Sequence, residues 1–266
     1  MSFANSASLG LSSAAAFAAA LTFSGAASAQ QAGLAPPPPQ ASSGPMGPLG
    51  LLTAPQTPGA RRYATPDGAV RFVLDRSGGR VALVRFEGDP EVHVLRPVMG
   101  SRGDELYRTE DGDVQLRVTP HGGVVVYTHA LRTGAPASEE ARVPPLSPPE
   151  LELAVLRTRL RELQIRAARA FGRPLAFEVR LEDGREERAA GVALDAAERA
   201  VEALSQAPQT AQQVRRIVIM VGSSPRARVQ GENLTIQVAP QMGFAGRPSS
   251  VAIRDVVTDS VQGPER

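Results

Sequence analysis

Three histidines, His93, His121 and His129, are the only imidazoles in the 266 residues, and three imidazoles brought together make a zinc site. Their spacing argues against convergence. His121 follows Pro120 in a turn, His129 ends the next apolar run, and His93 falls in the middle of a run two strands away. Carboxylates offer a second chemistry, because Asp104, Glu105 and Glu178 would supply the acid and base of a hydrolase without leaving a linear motif. The adjacent Glu186 and Glu187 read as solvated loop. Glu110-Asp111-Gly112-Asp113 lacks the spaced ligands and distal Glu of an EF-hand and reads as a hairpin turn. Arg102-Gly103-Asp104 spells a cell-adhesion tripeptide that an Arg-rich chain produces by chance. Gly222-Ser223-Ser224-Pro225 after a buried run is the nearest approach to a nucleophile elbow, but it continues into Pro where an elbow needs a helix. The glycine pairs follow strands and precede no helix, so no phosphate-binding fingerprint forms. No catalytic, cofactor-binding or metal-ligating residue is therefore assigned, and no cofactor is expected.

Composition narrows the field further. Cysteine is absent, which excludes a disulfide framework, thiolate catalysis and Cys-ligated metal sites. Every basic residue is Arg, as a GC-rich genome would encode. The formal net charge of +2 is too small for a strong field toward nucleic acid, and the few aromatic residues leave little for base stacking. Nucleic acid is thus not an expected partner.

The chain divides by charge. No charged residue precedes Arg61. Leu9 to Phe23 is an apolar stretch of signal-peptide length, too short to span a bilayer, and Ala27-Ser28-Ala29 offers small residues at a cleavage site. Residues 1–29 are therefore expected to be a signal peptide, cleaved between Ala29 and Gln30, leaving no transmembrane span in a periplasmic or secreted protein. The n-region lacks the usual Lys or Arg. Residues 30–60 hold eight prolines, including Pro36 to Pro39, and read as a disordered spacer.

Residues 61–129 carry turn signals between short alternating apolar runs, which is how antiparallel hairpins read. In one run Ala82, Val84 and Phe86 share a face; in the next, Val92 and Val94 point inward and His93 outward. About six strands are expected, then a linker over 130–147. Residues 148–261 read as a long helix and an α/β unit. Ser147-Pro148-Pro149-Glu150 has the form of a capping box, and Leu153, Leu156, Leu160, Leu163 and Ala167 give one apolar stripe ended by Gly172. Leu175, Phe177, Val179 and Leu181 alternate as a strand, closed by Asp183-Gly184. A helix over Leu194 to Ser205, a buried strand over Ile217 to Val221, a hairpin turning at Gly231 and a last helix capped by Ser249 or Ser250 complete the unit. The fold class expected is α+β: an antiparallel β meander or small barrel, a long helix and a C-terminal α/β unit.

Three stretches, Arg62 to Gly68, Glu91 to Pro97 and Ala245 to Ser250, with Phe171-Gly172-Arg173 between them, resemble a family of uncharacterised exported alphaproteobacterial proteins known as a domain of unknown function. The resemblance implies a Gram-negative envelope and assigns no functional residue. The function expected is that of a non-enzymatic module binding a protein, glycan or lipid of the envelope; a carboxylate-dependent envelope hydrolase is the alternative.

Overall fold

Period-two alternation over short runs cannot bury its apolar face within one hairpin, so the strands must close on one another. The computed structural model describes residues 59–262, apart from residue 114 and residues 182–185. The signal segment, its cleavage point, the spacer up to residue 58 and the Asp183-Gly184 turn lie outside the described residues. Eight antiparallel strands pair in chain order: β1 (Ala60–Ala64), β2 (Arg71–Asp75), β3 (Ala82–Phe86), β4 (His93–Met99), β5 (Glu105–Arg108), β6 (Gln115–Val118), β7 (Val124–Tyr127) and β8 (Ala135–Arg142). Strand β8 returns to β1, pairing Arg61 with Arg142 and Ala64 with Ser138, and closes a barrel. Phe72, Leu74, Val84, Leu95, Leu116 and Val126 fill the interior, as the bore of an eight-stranded barrel requires.

Two expectations change here. Eight strands stand where about six were expected: β1 opens at Ala60, the last residue of the expected spacer, and β8 lies in the stretch expected to be linker. Its sequence, Ala-Pro-Ala-Ser-Glu-Glu-Ala-Arg, has little strand propensity, and only Ala135 and Ala137 pack on the core; it is a strand because β1 and β7 each present an edge that it satisfies. The parity of β4 is the reverse of the one expected. His93 pairs with Val84 and Leu95 with Ala82. Val84 and Ala82 are core residues, so His93 and Leu95 share the inward face. Val92, just before the strand, is buried as expected, and its carbonyl accepts a hydrogen bond from Arg247.

The long helix α1 (Leu153–Phe171) begins five residues after Pro148 and ends at Gly172 in the left-handed conformation, φ 65°. The Ser147 box does not cap it. Residues 148–151 lie against the next helix without regular structure, with the Leu151 N–H donating to the Glu187 carbonyl. The sheet follows: β9 (Ala176–Arg180), α2 (Glu186–Gln206), the single turn α3 (Pro208–Ala211), β10 (Arg216–Val221), β11 (Arg226–Gln230), β12 (Asn233–Val238) and α4 (Ser250–Gln262). Strand order is β11-β12-β10-β9. The three strands β9, β10 and β12 are parallel and β11 is an antiparallel hairpin partner of β12. Ser249 Oγ accepts the Ala252 N–H at the start of α4, 3.1 Å away, the cap expected there. The second core lies between one sheet face and the helices, where Ala193, Ala196, Ala197, Ala200 and Ala203 of α2 meet Ile217, Ile219, Leu234 and Ile236. No helix among the described residues is long and apolar enough to cross a membrane.

Candidate functional site

The barrel and the α/β half belong to one compact unit but keep separate apolar cores. Charge joins them. Glu91, two residues before β4 and 2% exposed, accepts the Arg247 guanidinium at 3.1 Å and the Ser250 N–H at 3.2 Å on Oε1, and the Ser250 hydroxyl on Oε2. Arg247 has no side-chain exposure; it also donates to Asp195 of α2 and to the Val92 carbonyl, the latter at 2.9 Å. Arg199, one turn beyond Asp195, donates to Glu202 and lies 3.8 Å from Glu91. Buried charges persist only when paired and hydrogen-bonded in this way. At the rim, Asp89 accepts from the Glu91 N–H at 2.7 Å and meets His93 Nε2 at 2.9 Å. Burial pulls the His93 pKa down, but the bond to Asp89 and the charges of Glu91 and Asp89 outweigh it and leave the ring above its ordinary value. Burial raises the Glu202 carboxyl; Arg199 opposes this without cancelling it, and Glu91 and Asp89 add to it. No pocket is needed to explain this network, which is a polar bridge between two cores.

The surfaces open to ligands lie elsewhere. A depression of about 700 Å³ on the barrel wall is lined by Arg62, Arg71 and Arg85 but also by Glu87, Asp89 and Glu140, so its charge is balanced. The sheet differs. Its inner face is buried beneath the helices, whereas its outer face has no helix over it among the described residues. By period two that face carries Glu178 and Arg180 of β9, Arg216, Val218 and Met220 of β10, Asn233, Thr235 and Gln237 of β12, and Arg226, Arg228 and Gln230 of β11, lining a shallow cleft of about 500 Å³. Four arginines face one carboxylate. Glu178 is 2.6 Å from Arg180 and 3.6 Å from Arg216, while Arg226 and Arg228 have no ion-pair partner among the described residues. The face has no aromatic side chain. Gln237 is held by the Ser224 carbonyl at 3.1 Å, and a Cβ on Gly222 would stand 2.1 Å from its amide nitrogen, so Gly222 lets the β10–β11 turn seat that amide.

The residues singled out from sequence do not gather. Among the described residues no three His, Cys, Asp or Glu side chains stand together as metal ligands. Asp104 is buried and bonded to Arg117 at 2.6 Å, so the Arg102-Gly103-Asp104 tripeptide does not offer its carboxylate. Glu105 pairs with Arg76 and accepts the Tyr107 hydroxyl at 2.7 Å. Glu178 stands on the sheet and shares the cleft with no other carboxylate. Each of the three is neutralised by arginine. Glu186 and Glu187 open α2, and Gly222 to Pro225 is the expected turn into a strand. Sequence reasoning missed the arginine face and the Glu91–Arg247 pair. The signal for the face was the outward parity of Arg180, Arg216, Arg226 and Arg228. For the pair it was that Glu91 to Pro97 and Ala245 to Ser250, two stretches that carry the family resemblance, are the two halves of one buried network.

Neither a curated protein nor a solved structure matches this chain. A family defined as a domain of unknown function, DUF4908, matches residues 51–257, which takes in the barrel, the sheet and the network between them. The chain belongs to the DUF4908 family.

Proposed function

We propose that this protein is an exported, non-enzymatic binding module of the cell envelope, and that its uncovered sheet face takes an anionic partner, the phosphate- or carboxylate-bearing headgroup of an envelope glycan or lipid. One observation carries the reading: four arginines share an open, aromatic-free face with a single carboxylate. Arginine presents a planar donor fork that matches phosphate and carboxylate groups. Arginines on one face with no ring to stack on disfavour single-stranded nucleic acid, which relies on base–aromatic stacking. Polar Gln230, Asn233 and Thr235 between them suit a hydroxyl-rich ligand.

Two measurements test it. Binding to vesicles with and without anionic lipid, and to immobilised acidic and neutral glycans, should favour the anionic member and weaken with salt. The double substitution Arg226→Ala with Arg228→Ala should weaken it about tenfold or more, at roughly 1 kcal/mol per arginine near an anionic surface. Equal binding by native and variant protein would sink the reading. Export is tested separately: protein from a periplasmic fraction should begin at Gln30, and an intact Met1 in the cytoplasm would contradict it.

A further inference from the structure

The sheet has two edge strands, β11 and β9, and of these β9 lies beside a partly open apolar groove. Strand β9 pairs only with β10, and among the described residues nothing pairs with its other side. The Ala176 N–H donates to the Arg215 carbonyl, and Ala176, Glu178 and Arg180 stand opposite Arg216, Val218 and Met220. Backbone groups alternate direction along a strand. Phe177 and Val179 therefore point their N–H and C=O groups outward, with no partner among the described residues, and Leu181, one residue past the end of β9, continues that parity. Their side chains lie on the helix side, only partly buried, in a groove of about 480 Å³ shared with Leu153, Leu156 and Leu160 of α1. Native proteins usually blunt such an edge.

We propose that β9 is a dimerisation edge, pairing antiparallel with β9 of a second copy about a two-fold axis through Val179. Self-pairing leaves few registers, because outward-pointing residues must meet one another. Setting Phe177 opposite Val179 places Glu178 against Glu178, and setting Val179 opposite Leu181 places Arg180 against Arg180; like charges directly opposite are destabilising. Centring on Val179 sets Phe177 opposite Leu181 twice, on the apolar side, and Glu178 opposite Arg180 twice, on the polar side. Charge and apolar matching agree in that register alone. The two-fold axis is perpendicular to the sheet, so the arginine faces of both copies join on one side and both α1 helices lie on the other. This inference rests on the edge and not on the ligand proposed above.

The test exploits a chain that has no cysteine. Light scattering coupled to size exclusion at micromolar concentration should give the dimer mass. Val179→Pro removes an N–H that points away from β10, so the sheet should survive with its far-ultraviolet dichroism nearly unchanged while the dimer, and the concentration dependence of the melting temperature, are lost. Val179→Cys should cross-link to completion on mild oxidation, because hydrogen-bonded antiparallel partners stand about 5.5 Å apart at Cα, within disulfide range. Phe177→Cys, opposite Leu181, should not cross-link. A native monomer, a Val179→Pro dimer, or cross-linking at Phe177→Cys in place of Val179→Cys would each overturn the proposal.

Discussion

Arg247 is fully buried with its charge, held by Glu91, Asp195 and the Val92 carbonyl. A buried ion network adds little stability over a well-packed apolar core, yet removing one partner strands the others in low dielectric at a cost of roughly 3–5 kcal/mol. Glu91→Gln should therefore destabilise the fold by about that amount in denaturant titration, far more than a change at the exposed Arg159–Glu162 pair, since exposed pairs contribute about 0–1 kcal/mol. His93 carries a pH signature. Its folded pKa lies above the unfolded value, so its contribution is complete below about pH 6.5 and fades as pH rises through the folded pKa. His93→Gln should thus lower the melting temperature by a few degrees on the acid side and leave it nearly unchanged at alkaline pH, where about 1 kcal/mol corresponds to ~2–4 °C. Equal losses on both sides would show that the ring acts by packing and not by its charge. The charges at Glu91 and Arg247 were legible as residues; their pairing across 156 positions was not.

Elements compete for the same backbone groups, and the start of α1 shows how. Ser147 to Glu150 has the residues of a capping box, and local preference alone would begin the helix there. Instead those residues cross α2 at Gly191, where a Cβ would stand 1.9 Å from the Pro149 carbonyl oxygen. Tertiary contact overrides a local cap worth about 1 kcal/mol. Gly191→Ala decides between two effects. Alanine in a helix interior gains about 1 kcal/mol over glycine, but a backbone oxygen cannot move aside as a flexible side chain would, and overpacking of this kind costs roughly 1–3 kcal/mol. The expected outcome is a net loss measured by thermal unfolding; a gain would mean that the crossing segment is only loosely docked. Strand β8 makes the same point from the other side, since its weak sequence becomes a strand only because two edges wait for it. Where the signal was strong and local, as in the α1 stripe, the Gly172 stop, the β11–β12 hairpin and the Ser249 cap, structure and sequence agree.

The whole molecule has two apolar cores and one polar bridge between them, and its chromophores separate them. Tyr63, Tyr107 and Tyr127 are the only tyrosines and there is no tryptophan; all three lie in the barrel half. The helices α1, α2 and α4 all lie in the other. Near-ultraviolet dichroism therefore reports the barrel and helical far-ultraviolet dichroism the α/β half. The two should melt together in the native protein and separate in Glu91→Gln, because coincident transitions require coupling between the cores. Separate transitions in the native protein would mean that the network does not couple them. The sequence by itself determined the α+β class, the order of elements from β2 to β7 and again from α1 to α4 apart from the single turn α3, and the absence of cysteine chemistry, because these depend on periodicity and composition within short windows. Tertiary structure decided the closure of the barrel, the inward parity of His93 and Leu95 in β4, the Glu91–Arg247 pair, the arginine face and the open β9 edge. Each of these depends on which distant residues meet, and a period of two states only that a strand has two faces, not which one the rest of the chain will cover.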